Sequence, residues 1–190
     1  MDITFSTAQV PLRDRDEFWR EVVCRTFVEL DVTHGHQADY RGMVRTRSYG
    51  RVRATRITCD PMVAARTPRN IRLSDRDGFL IALQLRGQTH GTQDGRQVVL
   101  RPGDFALFDS ERPYQVDFLG EAFDHLVIQV PRPELNGVGV MGRRDSARVV
   151  RGDRDRGRLV GSYLVNLARI DPLHDEAERA RFGDVAIALL

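Results

Sequence analysis

Leu100-Arg101-Pro102-Gly103-Asp104-Phe105-Ala106-Leu107-Phe108-Asp109-Ser110, continued by Arg112-Pro113-Tyr114, is the stretch on which the fold turns. Proline presets φ, glycine tolerates positive φ and aspartate bonds nearby backbone, so Pro102-Gly103-Asp104 reads as a tight turn. It feeds directly into a short apolar strand, Phe105–Phe108, and Tyr114 then opens the next one. Upstream, Asp94-Gly95 is the dipeptide a two-residue hairpin demands, with a strand at Val98–Leu100 after it. Further out, Phe79–Arg86 puts Phe79, Ile81, Leu83 and Leu85 on one face and Leu80, Ala82 and Gln84 on the other, which predicts burial on both sides. Downstream, Gln115–Leu119 and Phe123–Val130 read as strands, with Leu126, Ile128 and Val130 alternating against Val127 and Gln129. Tyr40–Tyr49 and Val52–Cys59 complete the set. Turn signals at roughly 8–12-residue spacing belong to antiparallel sandwiches and barrels.

Helical patterns flank this β region. Phe18, Trp19, Val22, Val23, Phe27 and Val28 recur at helical spacing within residues 14–30, with Asp14 and Glu17 spaced as a capping box after Pro11. Phe5–Val10 before it reads as an extended arm or a first strand, and Pro133 opens a short helix through Leu135. Leu159, Val160, Tyr163, Leu164, Leu167 and Ala168 form an apolar stripe that ends at Asp171-Pro172. A last helix is expected over Asp175–Leu190, which stops without a cap, glycine or polar tail, so the natural polypeptide is expected to continue. The expected division is a barrel with its N-terminal arm and helix over 1–142, a charged linker over 143–158 and a helical segment over 159–190.

The 190 residues carry 29 basic and 27 acidic side chains, a net charge of +2, and every base is arginine. With 41% hydrophobic and 29% charged residues the chain is neither disordered nor a polycation. No apolar run approaches the roughly 20 residues of a membrane helix, and the start, Met-Asp-Ile-Thr-Phe-Ser-Thr, lacks the marks of an export signal, so a cytoplasmic location is expected. Cys24 and Cys59 sit in separate apolar segments and read as free buried thiols. Arg143 to Arg158 holds seven arginines against three aspartates, a net of +4 with no nearby aromatic residue; that is a solvated linker rather than a nucleic-acid stripe.

Few residues carry chemistry. His34-Gly35-His36 with Asp39 has a metal-like spacing but reads as a surface loop. His90 stands beside the hairpin, and His125 lies in an apolar strand, where hydrogen-bonded core competes with a ligand or base role. Arg66, after the apolar edge segment Met62–Ala65, is placed either to clamp a carboxylate or to pair with Asp60, Asp75 or Asp77. Tyr114 either points a phenol into a cavity or closes the barrel end. No Ser-His-Asp or Cys-His order and no phosphate loop stands out. Polar groups within an apolar barrel either fix a ligand or satisfy one another, so Arg66, Gln84, His90, Tyr114 and His125 form the candidate ligand-binding set, with no catalytic residues.

Taken together, these motifs resemble the sensor half of AraC/XylS-type transcription regulators. The resemblance rests on Phe5-Ser6-Thr7 with the helix containing Phe18-Trp19-Arg20, on Arg66-Thr67, on Leu83-Gln84-Leu85-Arg86-Gly87, and above all on Leu100–Ser110 continued by Arg112-Pro113-Tyr114. It implies an α+β, mainly β fold: a cupin-like antiparallel β-barrel (jelly roll) with an N-terminal helix and C-terminal dimerisation helices. It implies a small-molecule effector, anionic if Arg66 clamps it, and a homodimer pairing through Leu159, Tyr163, Leu164 and Leu167. Promoter DNA would be bound only through a helix-turn-helix domain beyond residue 190. Metal-using cupins carry a His-x-His pair and a Glu before the Pro-Gly-Asp turn and a His after it; here His90 precedes the turn and Tyr114 follows it, so neither metal nor other cofactor is expected. The competing readings are a cupin-type isomerase or lyase using His90, His125 and Tyr114, and a stand-alone binding protein.

Overall fold

The computed structural model describes residues 2–34, 39–75, 77–135, 146–170 and 175–190. In chain order the elements are β1 (Asp2–Ser6), α1 (Arg15–Thr26), β2 (Asp31–His34), β3 (Gly42–Tyr49), β4 (Val52–Cys59), β5 (Met62–Arg66), α2 (Pro68–Leu73), β6 (Phe79–Gln93) and β7 (Arg96–Leu100). There follow β8 (Phe105–Asp109), β9 (Tyr114–Val130), α3 (Arg132–Leu135), β10 (Val149–Val150), α4 (Asp155–Arg169) and α5 (Glu176–Leu189). The strand pairs are antiparallel throughout, in the order β1-β3-β4-β9-β6-β8-β10, with β7 on β6 and β5 joining β2 to β9.

Two long strands make the sheet curl into a cupin-like barrel. The second half of β9 pairs with β4 while its first half pairs with β5, and β6 runs beside β9 along its length. The register jumps from Arg86–Asp124 to Gln88–Leu119, and Gly87 at the kink takes φ +82°. This bulge bends both strands and reverses which residues face inward. Leu80, Ala82 and Gln84 face the interior before it, Thr89, Gly91 and Gln93 after it. The hairpin at Asp94-Gly95 forms as expected, with both residues at positive φ.

The double-sided burial expected for Phe79–Arg86 has a simple cause, since the sheet separates two cores. Inside, Leu80, Ala82, Ala106, Phe108 and Val127 pack with Trp19, Val22 and Val23 from α1 and Phe27 just after it, which together close one mouth of the barrel. Outside, Ile81, Leu83, Phe105, Leu107, Leu126 and Ile128 pack under Val160, Leu164 and Leu167 of α4 and Ala186 and Ile187 of α5. Gly183 lets α5 touch the sheet, because a Cβ there would lie 2.1 Å from the Tyr49 carbonyl oxygen.

Several expectations need correction. Asp14 does not cap α1: it has helical backbone angles and no capping bond, because a 3-10 turn over Leu12–Asp14 runs straight into the helix. Residues 149–158 are not free linker. Val149-Val150 pairs with β8, Arg151 bonds Asp104, and α4 begins at Asp155 rather than Leu159. The Gly137–Gly142 loop, Arg143-Arg144 and Asp171-Pro172 lie outside the described residues. The stripe assigned to a second subunit is largely turned inward: Leu164 is 0% and Leu167 1% exposed against this chain's own sheet, and the Tyr163 hydroxyl donates to the Phe182 carbonyl at 2.8 Å. Leu159 alone of the four is open, 64% exposed.

Candidate functional site

Between the two leaves of the barrel lies a cavity of about 50 Å³. Ile57, Met62, Ala64, Leu80, Ala82, Phe108, Val116, Phe118 and Val127 line it from the sheet, and Val23, Phe27 and Leu30 close it from α1 and the loop beyond. Among the described residues, only Tyr114 and His125 bring side-chain oxygen or nitrogen atoms to this wall. The space suits a few water molecules and lies well below the roughly 300 Å³ of a pocket for a larger ligand.

The state of His125 follows from its neighbours. The Gln84 amide donates through Nε2 to the Arg86 carbonyl at 2.7 Å, which turns Oε1 toward Thr89 and His125. Oε1 accepts the Thr89 hydroxyl at 2.7 Å and faces His125 Nδ1 at 3.0 Å. An acceptor at that distance requires Nδ1 to carry the proton. Burial pushes the imidazole pKa down to about 3, so the ring is neutral and Nε2 is a bare acceptor. His125 stacks on Phe123 at 5.3 Å and meets the edge of Phe118 at 5.7 Å. Thus β6 fixes the tautomer and the aromatic pair fixes the plane.

Tyr114 is buried beside Phe108, and its hydroxyl has no hydrogen-bond partner among the described residues. Burial raises its pKa, partly offset by the positive charge of Arg66. The phenol therefore stays protonated, able to donate one hydrogen bond. The wall offers an acceptor at His125 and a donor at Tyr114, in otherwise apolar surroundings.

Two expected members of the site are elsewhere. Arg66, 2% exposed, donates to the carbonyls of Glu29 at 2.7 Å, Asn70 at 3.3 Å and Ser110 at 3.1 Å, tying β5 to two loops and to α2. His90 is exposed and bonds Gln88 at 2.9 Å, because the bulge reverses the alternation of β6 and turns even-numbered residues out. Gln84 meets His125, and Tyr114 and His125 line the same cavity. His34 faces Asp16 and stacks on Tyr40, while His36 lies outside the described residues.

The motif that decides the fold does structural work. Asp109 is fully buried and accepts bonds from Arg132, from Arg112 Nε at 3.1 Å and from the Glu111 N–H at 3.0 Å. Burial alone would raise its pKa, but these partners outweigh it and hold the carboxyl below its usual range. Ser110 Oγ donates to the Gly78 carbonyl at 2.9 Å and accepts the Gly78 N–H at 2.8 Å. Asp104 accepts from Arg151 at 2.7 Å and Gly152 at 3.1 Å, anchoring the approach to α4.

A profile of the AraC-binding-like domain matches residues 19–190, nearly all of this fold. The chain belongs to that family. An AraC-binding-like domain is the effector-binding domain of AraC-type transcription regulators, in agreement with the sequence resemblance. The domain is 36% identical over 191 residues to "Uncharacterized protein in nit 5'region" of Bacillus sp. (strain OxB-1), covering 100% of this chain and 74% of that protein. It is 28% identical over 179 residues to the transcriptional activator NphR of Rhodococcus sp, covering 90% of this chain and 52% of NphR. In fold it matches the crystal structure of the AraC-like transcriptional activator CuxR with a TM-score of 0.80 at 15% identity, over 100% of this chain and 68% of CuxR. Thr89, which bonds Gln84, and Phe118 and Phe123, which pack on His125, do not stand out in the sequence. Strict alternation along β9 would have exposed the last two, had the bulge between Leu119 and Asp124 been visible.

Proposed function

We propose that the barrel interior takes a small, uncharged, largely apolar effector carrying one hydrogen-bond donor and one acceptor. The donor meets His125 Nε2 and the acceptor meets the Tyr114 hydroxyl. The observation that carries this reading is the pairing of a neutral, tautomer-locked His125 with an unpartnered buried phenol in an apolar wall. A charged effector would have to shed its hydration in a cavity lined by no charged side chain, since the Arg66 guanidinium does not line it and its donors are taken by three carbonyls. At about 50 Å³ the cavity must grow on binding, and Phe27 and Leu30 at the closed mouth are the groups in the way. The chain acts as a sensor rather than an enzyme, and in the whole cytoplasmic regulator effector binding biases promoter binding by a domain outside these residues. Two copies pair with Leu159 at the contact, because Leu164 and Leu167 are occupied by the chain's own sheet.

A thermal-shift screen with matched pairs of neutral compounds and their anions tests the pocket, since a ligand of the folded state raises Tm. Neutral hits are expected to lose their shift in His125→Phe and in Tyr114→Phe. Hits that survive both substitutions, or that are mainly anions, would overturn the reading.

A further inference from the structure

The barrel cavity has a neighbour. Where β6 begins and β9 ends lies a second cavity, of about 90 Å³. Its walls come from the loop after α1 (Phe27, Val28), the start of β6 (Phe79, Leu80) and the end of β9 (Gln129, Val130), with Arg53 of β4 beside them. Phe27 and Leu80 are the residues the two cavities have in common, so the cavities share a wall there.

The second cavity is polar where the first is apolar, and most of its polar groups are taken. Ser110 Oγ and the Gly78 backbone satisfy each other, and Asp77 accepts from Arg132 at 3.2 Å. Arg51 donates to Asp184 at 2.9 Å, and Arg53 is engaged as well. Gln129 is the exception. It is 8% exposed, and its Oε1 accepts the Thr55 hydroxyl at 3.4 Å, with Thr55 bonded in turn to Thr46 at 3.0 Å. Its Nε2 has no hydrogen-bond partner among the described residues, yet it is not sealed off from solvent. Buried amides are normally satisfied, so a free N–H on a cavity wall calls for an acceptor from outside the chain.

Strand register puts this donor in line with the barrel site. His125, Val127 and Gln129 share the inner face of β9, opposite Gln84, Ala82 and Leu80 of β6. Four residues of strand set His125 and Gln129 about 13 Å apart.

We infer that the second cavity is the far end of the effector site, taking an uncharged hydrogen-bond acceptor, such as a ketone or amide carbonyl, on Gln129 Nε2. The inference rests on the barrel reading and adds to it a length and a second functional group. The effector is then an elongated neutral molecule, with a hydroxyl between His125 and Tyr114, a carbonyl at Gln129 and Phe27 displaced from between them. That displacement is the one by which the 50 Å³ cavity gains room.

The test compares three alcohols on the 190-residue chain by calorimetric titration: hexan-1-ol, 8-hydroxyoctan-2-one and 7-methyloctan-1-ol, which has a methyl group in place of the carbonyl oxygen. Each hydroxyl supplies the donor and the acceptor that the barrel wall asks for. Gln129→Met keeps the length of the side chain and removes the donor. It should weaken the hydroxyketone about fivefold or more and change the two plain alcohols less than about twofold. In NMR spectra the Gln129 side-chain NH₂ signals should shift with the hydroxyketone and stay in place with hexan-1-ol. An unmoved Gln129 NH₂, or an equal effect of Gln129→Met on all three, would overturn the far-end site and leave the barrel reading standing. If none of the three binds, or if all bind undiminished to His125→Phe, the barrel reading falls and this inference falls with it.

Discussion

The two faces of one sheet are built on opposite principles. Under α4 and α5 the outer face is closed to contact distance, with backbone meeting backbone at Gly183 and Leu164 fully enclosed. The inner face, under α1, keeps a void and two polar atoms, His125 Nε2 and the Tyr114 hydroxyl, without hydrogen-bond partners among the described residues. Both faces draw on the same strands, so strand composition does not distinguish them. What differs is what closes them: two packed helices outside, one helix end and a loop inside. The outer face holds the fold together, and the inner face keeps the space that the proposed effector would take.

That contrast breaks most visibly at Leu164. Leu164→Ala removes a fully buried side chain from the tight face and should cost about 3–4 kcal/mol in urea unfolding. A cost below about 1 kcal/mol would mean that α4 is not a fixed part of the domain.

Adding one or two carbons sharpens the same contrast. Gly183→Ala drives a methyl into the Tyr49 carbonyl and should destabilise by about 2–3 kcal/mol. Ala82→Val places its added carbons toward the 50 Å³ cavity and should change stability by less than about 1 kcal/mol while weakening any barrel ligand. Equal costs on the two sides would erase the distinction.

His125 separates the faces by pH. Its folded pKa of about 3 lies below the ordinary 6.5, so below pH 6.5 the unfolded chain binds a proton that the folded chain does not. Stability from this group is complete above pH 6.5 and is lost as pH falls toward 3. At pH 5 the loss should be about 2 kcal/mol. His125→Phe should flatten that slope, leaving the steeper fall at lower pH to carboxyls such as Asp109, whose pKa is also depressed.

Much of this was legible in the chain. Turn chemistry at Pro102-Gly103-Asp104 and Asp94-Gly95 and the alternation in β6 and β9 lead to an antiparallel barrel, and the structure has it. Local periodicity does not report an irregularity, so the bulge at Gly87 stayed hidden and His90 was assigned to the wrong face. An apolar stripe shows that a helix packs without showing against what, which is why Leu164 and Leu167 were read as a subunit contact. Arg66 was recognisable as a buried cation, but backbone carbonyls leave no trace in sequence, and it is carbonyls that satisfy it. The burial of His125 was legible because a polar residue inside an apolar strand is conspicuous at any register.

The most direct measurement is the ¹⁵N spectrum of the His125 ring, with and without a neutral ligand that raises Tm. The free domain should show a neutral ring protonated at Nδ1, and the ligand should move Nε2 as it gains a hydrogen bond while Nδ1 stays in place. A ligand that leaves Nε2 unmoved, or a ring that is already protonated at Nε2 in the free domain, would contradict the assignment of the barrel interior as the sensing site.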